Sequence, residues 1–348
     1  MKKTLIALAA LSAIAGAAQA QSSVTLYGRL DASLANITTE TTSNTPALVV
    51  PSLSQTAIDA SKLRTTYWGL KGSEDLGGGL KANFDLQSTF SIDTGALDTT
   101  GMFARQSSVG LSGNFGSVNL GRVYTSYFSL FSATDNITNG NIAQTDDLWK
   151  TGVARDTQRT SNAVRFDSAN YGGVSGSFTY GIDEAATPGT NKNGSNVSFN
   201  VTYAAGPILA GIAYEEVQAA YLTPAAAPTA TKNTLVAGSY DFGVVKLTGG
   251  YNTASNATRD DKEYQFGVNV PLSAAAVVMF GYVNSNSTGS GLTDLNSKGY
   301  TIAGQYTLSK RTALYAGMFK ADLESGDTVA TLKTAKTTAA AVGVVHTF

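Results

Sequence analysis

The chain has 348 residues, enough for two or three ordinary domains or one large all-β unit. Charged residues make up 14% of it, well below the ~25% of an average soluble domain. It contains no cysteine, which excludes disulfides, thiolate metal sites and a cysteine nucleophile. The single histidine, His346, lies near the C-terminus, so a zinc hydrolase or a Ser-His-Asp triad is disfavoured.

The first twenty residues have the pattern of an export signal. Lys2 and Lys3 give a charged start, residues 5–18 are apolar, and a small-x-small cleavage site ends at Ala20. The apolar stretch is shorter than the ~20 residues that a membrane-spanning helix needs. The sequence therefore predicts a signal peptide over residues 1–20 and a single domain over residues 21–348.

Removal of the signal peptide changes the formal net charge from −1 to −3, because two lysines leave with it. A weakly charged, net negative chain lacks the basic surface that nucleic-acid binding requires, so no nucleic-acid partner is expected. No later segment offers 18 consecutive apolar residues, and no membrane-spanning helix is predicted.

The mature chain alternates apolar and polar residues with a period of two. The alternation is clearest over residues 24–32, 196–203, 263–270 and 300–308. Strands with one apolar and one polar face produce this pattern. About sixteen strands are predicted, near residues 23–34, 62–72, 78–90, 102–112, 116–124, 159–168, 173–182, 195–205, 208–217, 233–242, 244–252, 262–271, 275–284, 297–308, 311–320 and 337–348.

The connections between these strands alternate in length. The short ones carry glycine, asparagine, proline and serine, which favour tight turns. The long ones are polar and cover residues 35–61, 125–158, 183–194, 218–232, 253–261, 285–296 and 321–336. Such alternation is typical of an up-and-down antiparallel barrel with turns at one rim and loops at the other.

A soluble β-sandwich or a repetitive adhesin is the alternative, because period-two alternation alone does not exclude either one. Three features favour a transmembrane barrel. The predicted strands are close to the ~9–11 residues that a tilted strand needs to cross a bilayer, and their number is even. Tyrosine and phenylalanine also recur near strand ends, as in interfacial aromatic girdles.

Several motifs place the chain near a known family. They are SVTLYGRLD at residues 23–31, WGLKGSEDLGGGLKA at 68–82, RQ at 105–106 with VGLSG at 109–113, and GVVHTF at 343–348. Together they resemble the general diffusion porins of Gram-negative outer membranes, of the type common in beta-proteobacteria. The resemblance covers essentially the whole mature chain. It implies a sixteen-stranded antiparallel barrel, short periplasmic turns, long external loops, a homotrimer and a third long loop folded into the pore.

Four basic residues are candidates for the wall of such a pore. Arg29 lies on the polar face of the first predicted strand, and Lys71 shares a face with Tyr67. Arg105 and Arg159 match the positions where porins place lumen arginines on the wall that faces the inward loop. Each of the four could instead be a solvated charge at the rim or a contact between subunits.

One position departs from the family pattern. Many relatives have an arginine just before the Trp-Gly-Leu-Lys-Gly run, where this chain has Tyr67. The basic cluster is therefore expected to be one charge weaker. Arg64 is close by, but strict alternation places it on the face of Trp68, so it is not a clear replacement.

The third long loop runs from Tyr124 to about residue 158, a length at which loops are usually functional or disordered. Asp135 resembles the acid that porin loops place opposite the arginines. Asn139 stands roughly where some porins have a second acid, and Asp146 and Asp147 could line the mouth. The sequence thus predicts a passive channel for small hydrophilic solutes and ions, with a weak preference for anions.

The C-terminal residue Phe348 is a candidate lipid-facing aromatic and, by resemblance, the recognition end for the outer-membrane assembly machinery. His346 shares its face and is interpreted as an interfacial ring rather than a metal ligand. Outer-membrane lipids are the expected surroundings, and no cofactor or metal is expected.

Two alternative functions remain open at this point. A solute-specific barrel would need an aromatic track or a denser row of charges. A non-channel barrel would be an enzyme or an adhesin. An enzyme needs a nucleophile with a base, and His346 at the terminus offers no ordinary Ser-His arrangement.

Overall fold

The computed structural model describes residues 23–44, 51–97, 101–135, 148–149, 151–153, 158–182, 195–218 and 230–348. The expected signal peptide, residues 1–20, lies outside them. The described residues form one longer helix, α1 (Ser126–Thr134), one 3₁₀ turn (Val329–Thr331) and seventeen strands. The strands are β1 (Ser23–Ser43), β2 (Leu53–Ala60), β3 (Tyr67–Gly77), β4 (Leu80–Thr89), β5 (Gln106–Gly113), β6 (Gly116–Tyr124), β7 (Arg159–Ser168), β8 (Val174–Gly181), β9 (Asn196–Ala205), β10 (Ile208–Gln218), β11 (Ala230–Asp241), β12 (Lys246–Ser255), β13 (Asp260–Pro271), β14 (Ala276–Thr288), β15 (Leu295–Thr307), β16 (Thr312–Ser325) and β17 (Lys333–Thr347).

The strands close into a barrel of sixteen wall segments. From β3 onward each strand pairs antiparallel with the next, and β17 returns to pair with β1. β1 pairs with β3 along its first residues and with β2 farther on, so β2 and β3 are two halves of one wall segment. The predicted sixteen-stranded antiparallel barrel is confirmed. Within the described part of the chain, no helix is both long and apolar enough to span a bilayer.

The outer face of the barrel is apolar, and the inner face is polar except for an apolar cluster that includes Leu63 and Leu235. On β9, Phe199 and Val201 are exposed whereas Ser198 and Asn200 are buried, and Glu263 on β13 is fully buried. A β-sandwich would bury the apolar set instead. The observed arrangement is that of a barrel whose outer face meets lipid and whose inner face lines a lumen.

Several connections at the loop rim are shorter than predicted. The sequence predicts one long loop over residues 35–61, but β1 continues to Ser43 and β2 begins at Leu53. The connections around residues 253–261, 285–296 and 321–336 are likewise shortened by longer strands. These extensions lack an apolar face and are held by cross-strand hydroxyl pairs such as Thr38 with Ser54 (3.0 Å). Threonine favours strands, yet it leaves no hydrophobic alternation to detect.

The end of the chain completes the closure of the barrel. The Phe348 N–H donates to the Gly28 carbonyl (3.1 Å), and the Gly28 N–H donates to the Phe348 carbonyl (3.2 Å). The Phe348 ring covers Gly28, where a Cβ atom would lie 2.7 Å from the ring and 2.6 Å from the Tyr67 carbonyl oxygen. The His346 ring lies 3.0 Å from the Thr312 hydroxyl. Glycine is therefore required where the two ends of the chain meet.

We expect Gly28→Ala to weaken barrel closure, because the added methyl group meets backbone and ring atoms. Overpacking of this kind costs about 1–3 kcal/mol. The temperature at which the folded barrel unfolds in detergent, read as a gel-mobility change on heating, should fall. Gly249→Ala is the matched control, since its Cβ would meet nothing closer than 3.8 Å. Equal unfolding temperatures for the two variants would contradict the assignment.

Candidate pore constriction

The first part of the third loop lies on the inner wall of the barrel. The helix α1 begins after Thr125, whose hydroxyl accepts the Phe128 N–H (3.1 Å), as an N-cap residue does. The helix packs against β8 to β12. The Ser126 N–H donates to the Ser198 hydroxyl (2.9 Å), and the Tyr127 hydroxyl donates to Asn252 Oδ1 (2.9 Å). The inward polar side chains of the wall thus hold the helix inside the lumen.

The second described part of this loop contacts a different section of the wall. Leu148, Trp149 and Val153 are buried, and the Trp149 ring packs edge-on against Phe131 of α1 at 5.2 Å. The backbone N–H groups of Gly152 and Val153 both donate to Asp261 Oδ2 on β13, at 3.2 and 2.8 Å. The loop therefore leaves the wall at β6 and is tied to β13. Asn139, Asp146 and Asp147 lie outside the described residues.

A band of alternating arginine and tyrosine side chains crosses the inner wall from β1 to β7. Its members are Arg29, Tyr67, Arg105, Tyr124 and Arg159, and we call it the Arg–Tyr band. The Tyr67 ring lies 5.5 Å from the Arg29 guanidinium carbon and 4.7 Å from that of Arg105. The Tyr124 ring lies 5.8 Å from Arg105 and 4.5 Å from Arg159. Each ring offers cation–π attraction to two like charges and keeps them apart.

Neutral acceptors orient the three guanidinium groups of the band. Arg29 Nε donates to the Thr65 carbonyl (3.0 Å), and Arg105 Nε donates to Gln87 Oε1 (3.0 Å). Arg159 Nη2 donates to the Tyr124 hydroxyl (2.9 Å). These bonds fix the direction of each side chain and leave its positive charge uncompensated at that contact. Tyr67, the departure from the family pattern, stands between two of these charges.

Asp135 lies at the C-terminal end of α1 and is buried. Its carboxylate attracts the guanidinium of Arg64 electrostatically. The prediction that Arg64 shares the face of Trp68 is wrong. The strand is interrupted over residues 61–66, so alternation cannot be counted from Trp68 back to Arg64. Arg64 instead borders a lumen cavity together with Arg29.

Comparison with known proteins decides the family. A family model described as Gram-negative porin matches residues 7–326. The chain belongs to the Gram-negative porin family. Outer membrane porin protein 32 of Delftia acidovorans is 35% identical over 338 residues, covering 91% of this chain and 89% of that protein. An outer membrane porin protein of Bordetella pertussis is 30% identical over 398 residues, covering 100% of both chains.

A solved structure is similar over nearly the same length. The anion-selective porin from Comamonas acidovorans is 28% identical, with a TM-score of 0.78 over 94% of this chain and 100% of that one. Family, fold and the outer-membrane location that they imply agree with the resemblance of the motifs. This porin is therefore a channel protein that crosses the outer membrane with its barrel strands.

Lys71 lies apart from the Arg–Tyr band of this porin. Its ammonium group is 4.6 Å from the Tyr27 ring, and the Tyr27 hydroxyl donates to the Asp85 carboxylate. Asp85 also faces Lys71 directly in the β3–β4 register. The positive charge of Lys71 thus has an acid directly opposite it on the neighbouring strand.

Arg165 is a lumen residue that sequence reasoning missed. It forms an ion pair with Asp167 (2.6 Å) and donates to the Tyr124 carbonyl (2.8 Å) and the Ser129 hydroxyl (2.9 Å). It therefore braces the start of α1 against the wall. Its two-residue spacing from Asp167 on a predicted strand was the available signal, because it puts both charges on the same polar face.

We expect Asp261→Asn to loosen the third loop, because the Gly152 and Val153 N–H groups share one carboxylate oxygen and a neutral amide oxygen accepts them more weakly. Hydrogen bonds to charged groups contribute about 1.5–3 kcal/mol each. Single-channel conductance in planar bilayers should rise and become noisier. Asp260→Asn is the control, since Asp260 is the neighbouring, exposed carboxylate. Unchanged conductance and noise in Asp261→Asn would show that this contact does not hold the loop.

Proposed function

We propose that this porin forms a water-filled path for the passive diffusion of small hydrophilic solutes and ions, with a weak preference for anions. The Arg–Tyr band carries the proposal. Arg29, Arg105 and Arg159 place three positive charges on one section of the inner wall, each oriented by a neutral acceptor. Fixed charges in a narrow aqueous path favour ions of opposite sign. The relative from Comamonas acidovorans is described as anion-selective, which supports the same assignment.

The loop side of the constriction limits this preference. Asp135 is the acidic partner in the proposal, and its attraction to Arg64 removes net charge from that side. Tyr124 belongs to both sides of the constriction, because its ring lies in the Arg–Tyr band and the third loop begins at its backbone. The proposal also assigns Asn139 to the loop, Asp146 and Asp147 to the mouth, and Lys71 to a secondary role next to Asp85.

The preference should be weak and salt-dependent. Salt screens exposed charges over roughly 8 Å at physiological ionic strength. An ion that crosses the lumen at that distance from the band responds little to it. Narrowing by the third loop brings the path within reach of the charges, and raising the salt concentration reduces their effect.

We further propose that the mature chain starts after Ala20 and assembles as a homotrimer in outer-membrane lipid. The outer face of β14 to β17, continued by β1 and β2, carries a hollow of about 610 Å³ lined mainly by small and apolar residues, including Gly304, Ala316 and Ala340. Such a surface suits close packing of a second subunit. Phe348, 38% exposed at the barrel closure, is the assigned recognition end for the assembly machinery.

A solute-specific channel is the second candidate, because aromatic rings and charges alternate along the band. Such a row can bind an organic anion between ring and guanidinium. Saturable block of the ion current by one solute, at concentrations where similar solutes have no effect, would establish this candidate in place of general diffusion.

The first experiment is planar-bilayer recording of refolded residues 21–348 under a salt gradient. An anion-directed reversal potential with closures in steps of three is the expected result. A cation-directed reversal potential would agree with the proposed channel but would reject the proposed preference for anions. No conductance from folded, heat-modifiable protein would argue against an open channel.

We expect Arg105→Gln and Arg159→Gln each to shift the reversal potential toward cations, because each removes one uncompensated lumen charge. Lys320→Gln makes the same charge change at an exposed position of β16 whose neighbours on that face point outward, and it should leave the potential unchanged. If both arginine variants behave like the Lys320 control, the band does not set the selectivity.

A further inference from the structure

Residues 61–66 form a turn that points into the barrel, and we call it the inward turn. It separates β2 from β3 within one wall segment. Ser61 has φ = 62°, a left-handed conformation that non-glycine residues rarely adopt. Leu63 is completely buried among the inner apolar residues. A position of this kind must be held by specific contacts, because the turn has left the strand ladder.

The carboxylate of Asp31 supplies those contacts. Its Oδ2 accepts the backbone N–H groups of Leu63 (2.8 Å) and Arg64 (2.5 Å), and its Oδ1 accepts the Tyr315 hydroxyl (2.7 Å). Its backbone carbonyl accepts the Ser61 N–H (3.1 Å), and its own N–H donates to the Thr66 hydroxyl (3.0 Å). Asp31 is fully buried, so its carboxylate is tied to the turn at one side and to β16 at the other.

The inward turn brings positive charge to the lumen. Arg64 borders a cavity of about 220 Å³ whose lining also includes Arg29, Gln305 and Arg311. The turn also supplies the Thr65 carbonyl that orients Arg29. The turn therefore contributes one guanidinium directly and steadies a second one.

We propose that Asp31 is a positioning residue for ion selection, which holds Arg64 at the constriction by fixing the inward turn. The proposal deepens the anion preference proposed above and rests on it. It has an unusual consequence, because a buried acid then increases the preference of the pore for anions. If Asp31 acted only through its own negative charge, it would decrease that preference.

Asp31→Asn separates these two roles by the sign of its effect. The asparagine keeps the shape, but its neutral oxygen accepts the Leu63 and Arg64 N–H groups more weakly than the carboxylate does, and its NH₂ group cannot accept the Tyr315 hydroxyl. If Asp31 is a positioning residue, loss of its carboxylate should shift the reversal potential toward cations, and Arg64→Gln should shift it in the same direction. The chloride-to-potassium permeability ratio should fall by at most about fivefold, the effect of one unit charge across ~4 Å of water.

The double variant Asp31→Asn/Arg64→Gln tests whether the effect passes through Arg64. Relative to Arg64→Gln alone, it should shift the potential toward cations less than Asp31→Asn shifts the wild type, because only the orientation of Arg29 is then left to lose. Glu215→Gln is the control, because Glu215 is an equally buried inward carboxylate that accepts a hydrogen bond from Asn196 and none from the turn. Its neutralisation should shift the potential toward anions or leave it unchanged.

A shift of Asp31→Asn toward anions, no shift, or an equal shift with and without Arg64 would overturn the proposal. If Asp31→Asn does not fold, Tyr315→Phe removes the hydroxyl that binds the Asp31 carboxylate, Thr66→Val removes the hydroxyl that binds the Asp31 backbone, and both leave every charge in place. Both should shift the potential toward cations more strongly when Arg64 is present, and unchanged potentials in both would also overturn the proposal.

Each shift in reversal potential is measured relative to the wild-type porin. The positioning role of Asp31 can therefore be tested whether the wild-type porin prefers anions or cations. A cation-selective wild type would reject the proposed anion preference but not the positioning role. An anion-selective wild type that responds to Arg105→Gln, with no effect of Asp31→Asn, would reject the positioning role alone.

Discussion

A bilayer interior offers no hydrogen-bond partners, so every backbone N–H and C=O group in the wall must be paired within the protein. The β1–β17 ladder, from Arg29 with Thr347 to Ser43 with Lys333, meets this requirement by closing the sheet on itself. Closure leaves no free edge. Strand alternation then gives one face to lipid and the other to the lumen, which is where the buried polar side chains of this sequence lie.

A sixteen-stranded barrel is too wide for its own side chains to fill, so the lumen must be narrowed by segments that leave the ladder. Leaving the ladder costs those segments their backbone partners. In this porin, two such segments gain replacement partners for their backbone N–H groups in the same way. Asp31 accepts two N–H groups of the inward turn, and Asp261 accepts two N–H groups of the third loop. Buried carboxylates thus replace the missing ladder at the points where the pore is shaped.

The strands of the barrel wall can be predicted from the sequence, but the segments that interrupt the strand ladder cannot. Contact with lipid leaves a period-two pattern, as in Phe199 and Val201, which can be counted along the chain. The threonine-rich extension of β1 carries no such pattern, because neither of its faces is apolar. Strict alternation puts Arg64 on the wrong face, because the break at residues 61–66 depends on Asp31, more than thirty residues away in the chain. Arg165 and Asp167 were visible as a pair on one face, but the helix that they brace was not.

The weak selectivity proposed for the pore follows from how its charges are spaced. A fourth guanidinium, in place of Tyr67, would stand between Arg29 and Arg105 and repel both, whereas the tyrosine ring attracts both. The band therefore holds fewer positive charges, and the repulsion between them is weaker. Its field extends roughly one screening length of ~8 Å into the lumen. The distance from the band to the opposite inward segments then decides how strongly a passing ion responds, so the carboxylates that hold those segments matter to selectivity as much as the arginines do.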